Sequence, residues 1–337
     1  MKMLLLHCLV VLGFIGGTTA CARAQDRLLA DAQSRAFASV AERVAPRVVQ
    51  LRYFGGAGEI LSKTPAPVSG LLLEDPGWVL TSGYGLDSEP AAAVVRFPDQ
   101  TEAPAELVGR DLTRSLVLFR VELSGAELRA TPLTAVTHTP VGAWAIAVGR
   151  ASPSGGHNLS VGVISAHGRL GGRAMQTDAS LSPSNYGGPL VNVRGELIGL
   201  ITPLAPPGQS GLAWYDSGVG FVTPWREIRI RIERLKQGET IEPGWLGMKL
   251  EDGGQPYRQA ATIEEVVPGG PSADAGLLPG DQIVSLDRQI TADVATFRRV
   301  LGVRDAGEVV SLTVVREGGE HRVAVKLTPR TPTPDGP

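Results

Sequence analysis

The chain has 337 residues, 43% hydrophobic and 20% charged, which describes a folded globular protein of two or three domains rather than a disordered one. A formal net charge of −2 gives no electrostatic basis for holding nucleic acid. The 42 glycines and 25 prolines favour turns and short strands over long helices.

In chain order, the first predicted element is an export signal. Lys2 supplies a positive charge, Met3 to Ile15 an apolar run, and Ala22-Arg23-Ala24 a small-x-small cut before Gln25, so residues 1–24 read as a signal peptide. The run is too short to span a bilayer, and no transmembrane segment is expected. Cys8 and Cys21 both precede the cut, so the mature chain has no thiol. That suits an oxidising compartment, periplasmic or secreted, and excludes a cysteine nucleophile and a disulfide framework. Thr18-Thr19-Ala20-Cys21 leaves open the alternative of a lipoprotein anchored through Cys21.

Phe37, Val40, Ala41 and Val44 recur at helical spacing and predict a helix over 35–44, stopped by Pro46. Val48 to Tyr53 reads as the first strand. Short apolar runs follow, separated by Gly, Pro, Asp and Ser, among them Ser69–Leu73, Ala93–Phe97, Ala145–Gly149, Val161–Ser165 and Gly218–Val222. Strands at this spacing indicate an all-β barrel or sandwich. Trp225 to Lys236 reads as a helix closing that domain, and 237–243 as a linker. A second block runs over 244–328, and the proline-rich residues 329–337 read as a flexible tail.

Three stretches carry motifs. Ser184-Asn185-Tyr186-Gly187-Gly188-Pro189-Leu190 follows Gln176-Thr177-Asp178-Ala179 and precedes Val191 to Gly199. Val79-Leu80-Thr81-Ser82-Gly83-Tyr84-Gly85-Leu86 ends a strand. Ser115-Leu116-Val117-Leu118-Phe119 follows Gly109-Arg110-Asp111. Together they resemble the HtrA (Deg) family of trypsin-like serine proteases, whose nucleophile loop reads Gly-Asn-Ser-Gly-Gly-Pro-Leu. The resemblance covers about residues 35–225 and implies a pair of six-stranded β-barrels, placed here at 25–236. Gly244-Trp245-Leu246-Gly247-Met248, the run Pro268 to Asp281, a helix over Asp293–Leu301 and strands near Val309–Arg316 and His321–Leu327 resemble a PDZ domain of the HtrA type. The expected fold is mainly β, a trypsin-like double six-stranded β-barrel followed by one PDZ domain.

The same resemblance places Tyr186 where the family has its serine, Tyr84 at the histidine, Ser115 at the aspartate and Ser184 at the oxyanion-loop glycine. Serine acyl transfer needs a hydroxyl beside a base of near-neutral pKa, with a carboxylate to orient that base. Tyrosine titrates near pH ~10, and no histidine lies within fifty residues of Tyr84 in sequence. The expectation is therefore a chain that is not an enzyme: an exported pseudoprotease that binds peptides or envelope proteins in a chaperone-like or regulatory role. Two alternatives stand beside it. One is an active serine endopeptidase using Ser182 or Ser184 with a displaced base; the other is a structural partner of an active paralogue.

PDZ domains add a peptide strand to a sheet edge and capture its carboxylate in a nest of backbone amides. By resemblance the nest is Trp245-Leu246-Gly247-Met248. Phe297, Val300 and Leu301 wall either the groove or the core behind it. The expected partners are peptides or protein C-termini, and the resemblance also implies a homotrimer formed through the amino-terminal segment. His138, His157, His167 and His321 have no carboxylate at ligand spacing, so no metal and no cofactor are expected. Asp178 is expected to be a structural hydrogen-bonding residue. Tyr84 and Tyr186 are expected to plug the old cleft, with an aromatic floor for peptide as the alternative.

Overall fold

Runs of β-branched and aliphatic residues between glycine- and proline-rich turns build three sheets. The computed structural model describes residues 27–55, 67–73, 77–86, 89–122, 133–151, 155–205, 217–251 and 253–330. The export segment 1–24, the candidate lipid anchor Cys21 and residues 331–337 of the tail lie outside the described residues.

Helix α1 (27–44) starts eight residues before the expected Arg35. Residues 27–36 are solvent-exposed and rich in Leu, Ala, Gln and Arg, which favour helix without an apolar stripe that periodicity can detect. Only the second half carries a buried face, Val40, Ala41 and Val44. Pro46 stands in the 3₁₀ turn Ala45–Arg47 that ends the helix.

The first barrel comprises β1 (Val48–Phe54), β2 (Val68–Leu72), β3 (Trp78–Ser82), β4 (Ala92–Arg96), β5 (Glu102–Asp111) and β6 (Leu116–Val121). Its order is β5-β4-β1-β2-β3-β6, closed by pairing of β6 with β5. Strand alternation sorts the side chains: Val49, Leu51 and Tyr53 of β1 join Val79, Val95, Val117 and Phe119 inside the barrel, while Val48 points out toward α1. The second barrel comprises β7 (Trp144–Gly149), β8 (Asn158–Arg169), β9 (Ala174–Thr177), β10 (Pro189–Val191), β11 (Leu197–Ile201) and β12 (Gly220–Pro224), closed in the order β10-β11-β12-β9-β8-β7. A third apolar cluster, with Val40, Val44, Leu80, Leu118, Ile146 and Leu200, cements the two barrels to α1.

Residues 225–236 form two short helices, α2 (Trp225–Arg229) and α3 (Ile232–Lys236), not the single helix expected. The break falls at Arg231, whose side chain turns inward and donates from Nη1 to the Glu227 carbonyl at 2.8 Å. The expected linker is partly built into the barrel: β13 (Thr240–Ile241) pairs in parallel with β5, and Ile241 is buried.

The PDZ domain comprises β14 (Met248–Leu250), β15 (Ala261–Val266), α4 (Pro271–Asp274), β16 (Gln282–Leu286), β17 (Gln289–Ile290), α5 (Val294–Leu301), β18 (Val309–Arg316) and β19 (Gly319–Lys326). Its sheet order is β14-β15-β16-β18-β19, with β17 on β16. The Asp293 side chain caps α5 by accepting the Thr296 amide at 2.7 Å. Val294, Phe297 and Val300 then face the core at helical spacing.

A buried charge cluster fixes this domain on the barrels. Asp305, 1% exposed, accepts Arg114 Nη1 at 2.9 Å, Arg231 Nε at 2.8 Å and Arg234 Nη1 at 2.8 Å. Arg114 also reaches Asp111 Oδ2 at 3.0 Å, and Arg114 and Arg231 both donate to the Val303 carbonyl, at 2.7 and 3.0 Å. Burial pushes the Asp305 carboxyl up, but Arg114 and Arg231 outweigh it and hold the group below its ordinary range. At Asp111 burial prevails over Arg114, and the carboxyl is raised. Among the described residues no helix is long and apolar enough to cross a membrane.

Candidate functional sites

The structure brings Tyr84, Ser115 and Tyr186 together at the junction of the barrels, where the motifs placed them. Tyr84 lies in the turn after β3 and packs against the cores of both barrels. Tyr186 is buried, and its ring meets that of Tyr84 edge-on, with centroids 5.3 Å apart and planes at 67°. The two rings pack together where the barrels meet, Tyr186 buried and Tyr84 half-buried. Ser115, at φ 53°, stands beside this turn, where its carbonyl accepts the Gly83 amide at 2.8 Å. Asp178 is a structural acceptor, taking the Val163 amide on Oδ1 at 2.6 Å.

In the loop Ser182–Gly188 four successive amides end on carbonyls of the protein. Asn185 and Tyr186 donate their amides to the Ser182 carbonyl at 3.0 and 3.2 Å, Gly188 donates to Asn185 at 3.0 Å, and Gly187 to Ile201 at 2.8 Å. An oxyanion hole depends on amides aimed at a substrate oxygen; here the Tyr186 and Gly187 amides are engaged within the fold. Gly187 has φ 84°, and a Cβ on it would collide with the Ser69 carbonyl oxygen, so this turn requires glycine. The hydroxyls form a network as well. Ser182 and Ser184 Oγ are 2.7 Å apart, Asn158 Nδ2 donates to Ser184 Oγ at 3.1 Å, and Ser69 Oγ donates to the Ser184 carbonyl at 3.0 Å.

The PDZ loop is built differently. The Leu246 carbonyl accepts both the amide and the hydroxyl of Ser272, at 2.9 and 2.6 Å, and the Gly247 carbonyl accepts the Val267 amide at 2.8 Å. The amides of Leu246 and Gly247 have no partner among the described residues. Gly247 has φ 72° and lies against the Pro271 ring. Beside it, β14 ends the sheet and pairs only with β15 among the described strands, so its other edge is open. Of the residues singled out for this groove, Leu246, Phe297 and Val300 are buried in the domain core. Met248 and Leu301 are half-buried against that core, and Trp245 is half-buried with its backbone bridged to Thr328.

Two features escaped the motifs. The Arg114–Asp305 contact spans 191 positions and belongs to no periodic pattern; its only local sign is Asp111 three residues before Arg114. His138 and His167, distant in sequence, stack with ring centroids 6.1 Å apart on the surface of the second barrel.

Comparison with known proteins covers both regions. The trypsin-like peptidase domain matches residues 68–200, and the PDZ domain residues 244–327. A probable periplasmic serine endoprotease DegP-like of Pseudomonas fulva is 28% identical over 85% of this chain and 60% of its own length. A probable periplasmic serine protease do/HhoA-like of Haemophilus influenzae is 30% identical over 81% of this chain and 60% of its own. The chain thus spans about 60% of the length of these relatives. Among solved structures, the HtrA-type protease AlgW with a tripeptide is similar with a TM-score of 0.67 at 25% identity, covering 88% of this chain and 98% of that one. The serine endoprotease from Yersinia pestis gives 0.63 at 25% identity, over 87% and 97%.

These relatives correct one expectation. Substitution at Tyr84, Ser115 and Tyr186 led to a chain that is not an enzyme, but the proteins it matches over most of its length are named serine proteases.

Proposed function

The chain belongs to the HtrA/Deg family of trypsin-like serine proteases with a PDZ domain, and on that premise we propose that it is an exported protein that captures polypeptide C-termini at its PDZ edge. The observation that carries this reading is the pair of unpartnered amides at Leu246 and Gly247 beside the open edge of β14. A peptide strand added to β14 would end with its carboxylate on those amides, and half-buried Met248 would contact its last side chain. Export agrees with the periplasmic naming of the relatives and with the amino-terminal signal pattern. Leu28 and Leu29, exposed in the first described turn of α1, supply apolar contacts for the self-assembly expected of the amino-terminal segment. Calorimetry tests the capture. A peptide with a free, apolar C-terminus is expected to bind with a micromolar Kd, about −8 kcal/mol. Its C-terminal amide is expected to bind far more weakly; equal affinities would overturn the reading.

A second reading is serine endopeptidase chemistry in a non-standard arrangement. It is favoured by the names of the relatives and by the Ser182 and Ser184 hydroxyls, 2.7 Å apart beside the nucleophile loop. Labelling with a fluorophosphonate followed by peptide mapping tests it. Label on Ser182 or Ser184 that disappears in Ser184→Ala supports it; casein turnover unchanged in both Ser182→Ala and Ser184→Ala would overturn it.

A further inference from the structure

The seam between the second barrel and the PDZ domain holds a cleft of about 510 Å³. Arg169 at the end of β8 and Phe221 of β12 form one wall; Thr296, Arg298 and Arg299 of α5, with Tyr257, form the other. No carboxylate lines it among the described residues. The Arg298 and Arg299 side chains are exposed and have no hydrogen-bond or ion-pair partner among the described residues. Arg169 donates only to a neutral amide, Gln176 Oε1 at 2.8 Å. Some other arginines meet carboxylates: Arg114, Arg231 and Arg234 meet Asp305, Arg304 meets Asp287, and Arg316 meets Asp281. Arg169, Arg298 and Arg299 thus gather guanidinium on a lining without carboxylates among the described residues, in a chain of net charge −2.

The cleft is held in shape before any ligand arrives. The Asp305 cluster fixes one domain on the other, and the Arg299 stem lies over Gly168 and Gly172, where a Cβ would stand 3.4 Å from its Cδ and Cγ. Guanidinium groups bind carboxylates in a two-pronged geometry, and the same lining carries the Tyr257 ring, 80% exposed. We infer that this seam is a second polypeptide-binding site, selective for an internal acidic segment with an aromatic neighbour. It is separate from the β14 edge and needs no free C-terminus.

The test uses the mature chain and two labelled probes, acetylated and amidated at their ends: Glu-Glu-Phe-Glu-Glu and Gln-Gln-Phe-Gln-Gln. Fluorescence anisotropy is expected to give binding of the first only, weakening as salt is raised. Affinity should fall about tenfold or more in Arg298→Glu/Arg299→Glu and measurably in Arg169→Gln on the opposite wall. Gly247→Val, which disables the proposed carboxylate nest, should leave it unchanged, so this site and the C-terminal site fail separately. The milder Arg298→Gln/Arg299→Gln, checked for an unaltered melting temperature, guards against misfolding. Equal binding of the two probes, full affinity in that folded glutamine variant, or binding of polyphosphate without binding of the glutamate probe would each overturn the inference.

Discussion

In the barrel loop Ser182–Gly188 the amides of Asn185, Tyr186, Gly187 and Gly188 all end on carbonyls of the protein, whereas in the PDZ loop Trp245–Met248 the amides of Leu246 and Gly247 end on none of the described residues. Both loops depend on a glycine at positive φ, and both sit beside an aromatic residue, Tyr186 in one and Trp245 in the other. They differ in where the backbone donors point. A buried N–H must find a partner, so amides already paired within the fold are closed to a ligand, and those that are not are poised for one. Glycine content alone does not separate the two cases.

The Asp305 cluster holds both loops in one frame, and the largest expected effect comes from breaking that frame. Asp305→Ala leaves Arg114 and Arg231 buried without their shared carboxylate, and should cost about 3–5 kcal/mol in chemical denaturation. Tyr186→Ala comes next, at about 3 kcal/mol, because it empties a buried ring's volume where the barrels meet. A double-mutant cycle with Tyr84→Ala should return a coupling of about 0.5–1.5 kcal/mol for the edge-on pair; no coupling would mean that the rings are neighbours without being a unit.

Acid should act on the frame with a definite sign. Asp305 has a lowered carboxyl, so its contribution is present above the unfolded value of about 4 and is lost as pH falls through the folded one. Asp111, raised by burial, acts in the opposite sense and gains stability on protonation. Urea midpoints between pH 5 and pH 2 should therefore fall less steeply in Asp305→Asn than in the parent chain, and more steeply in Asp111→Asn. The smallest effect is local to the PDZ domain. Asp293→Ala removes the cap on α5 and should cost about 1 kcal/mol, read as a lower melting temperature with the barrels unaffected.

Much of this was legible in the sequence. The double barrel, the PDZ domain and the meeting of Tyr84, Ser115 and Tyr186 followed from the resemblance of their motifs to the HtrA family, whereas the spacing of the short strands alone indicated only an all-β barrel or sandwich. What escaped was of two kinds. The start of α1 and the break between α2 and α3 depend on an exposed helix face and on one arginine turning inward, and neither leaves an apolar pattern. The Asp305 cluster and the seam cleft join residues far apart in the chain, where local spacing carries no information. Phe297 and Val300 show a third limit: a helical stripe marks burial, and it does not say whether a groove or a core lies in front of it.

The account's central claim is that the Leu246 and Gly247 amides are the ones left for a ligand. Proton–nitrogen NMR spectra of the chain, titrated with a peptide bearing a free apolar C-terminus, test it most directly. The expected result is a downfield shift of those two amide protons, saturating with the binding curve, absent with the amidated peptide, and with the Tyr186 and Gly187 amides unmoved. Movement at Tyr186 and Gly187 with Leu246 and Gly247 silent would contradict it.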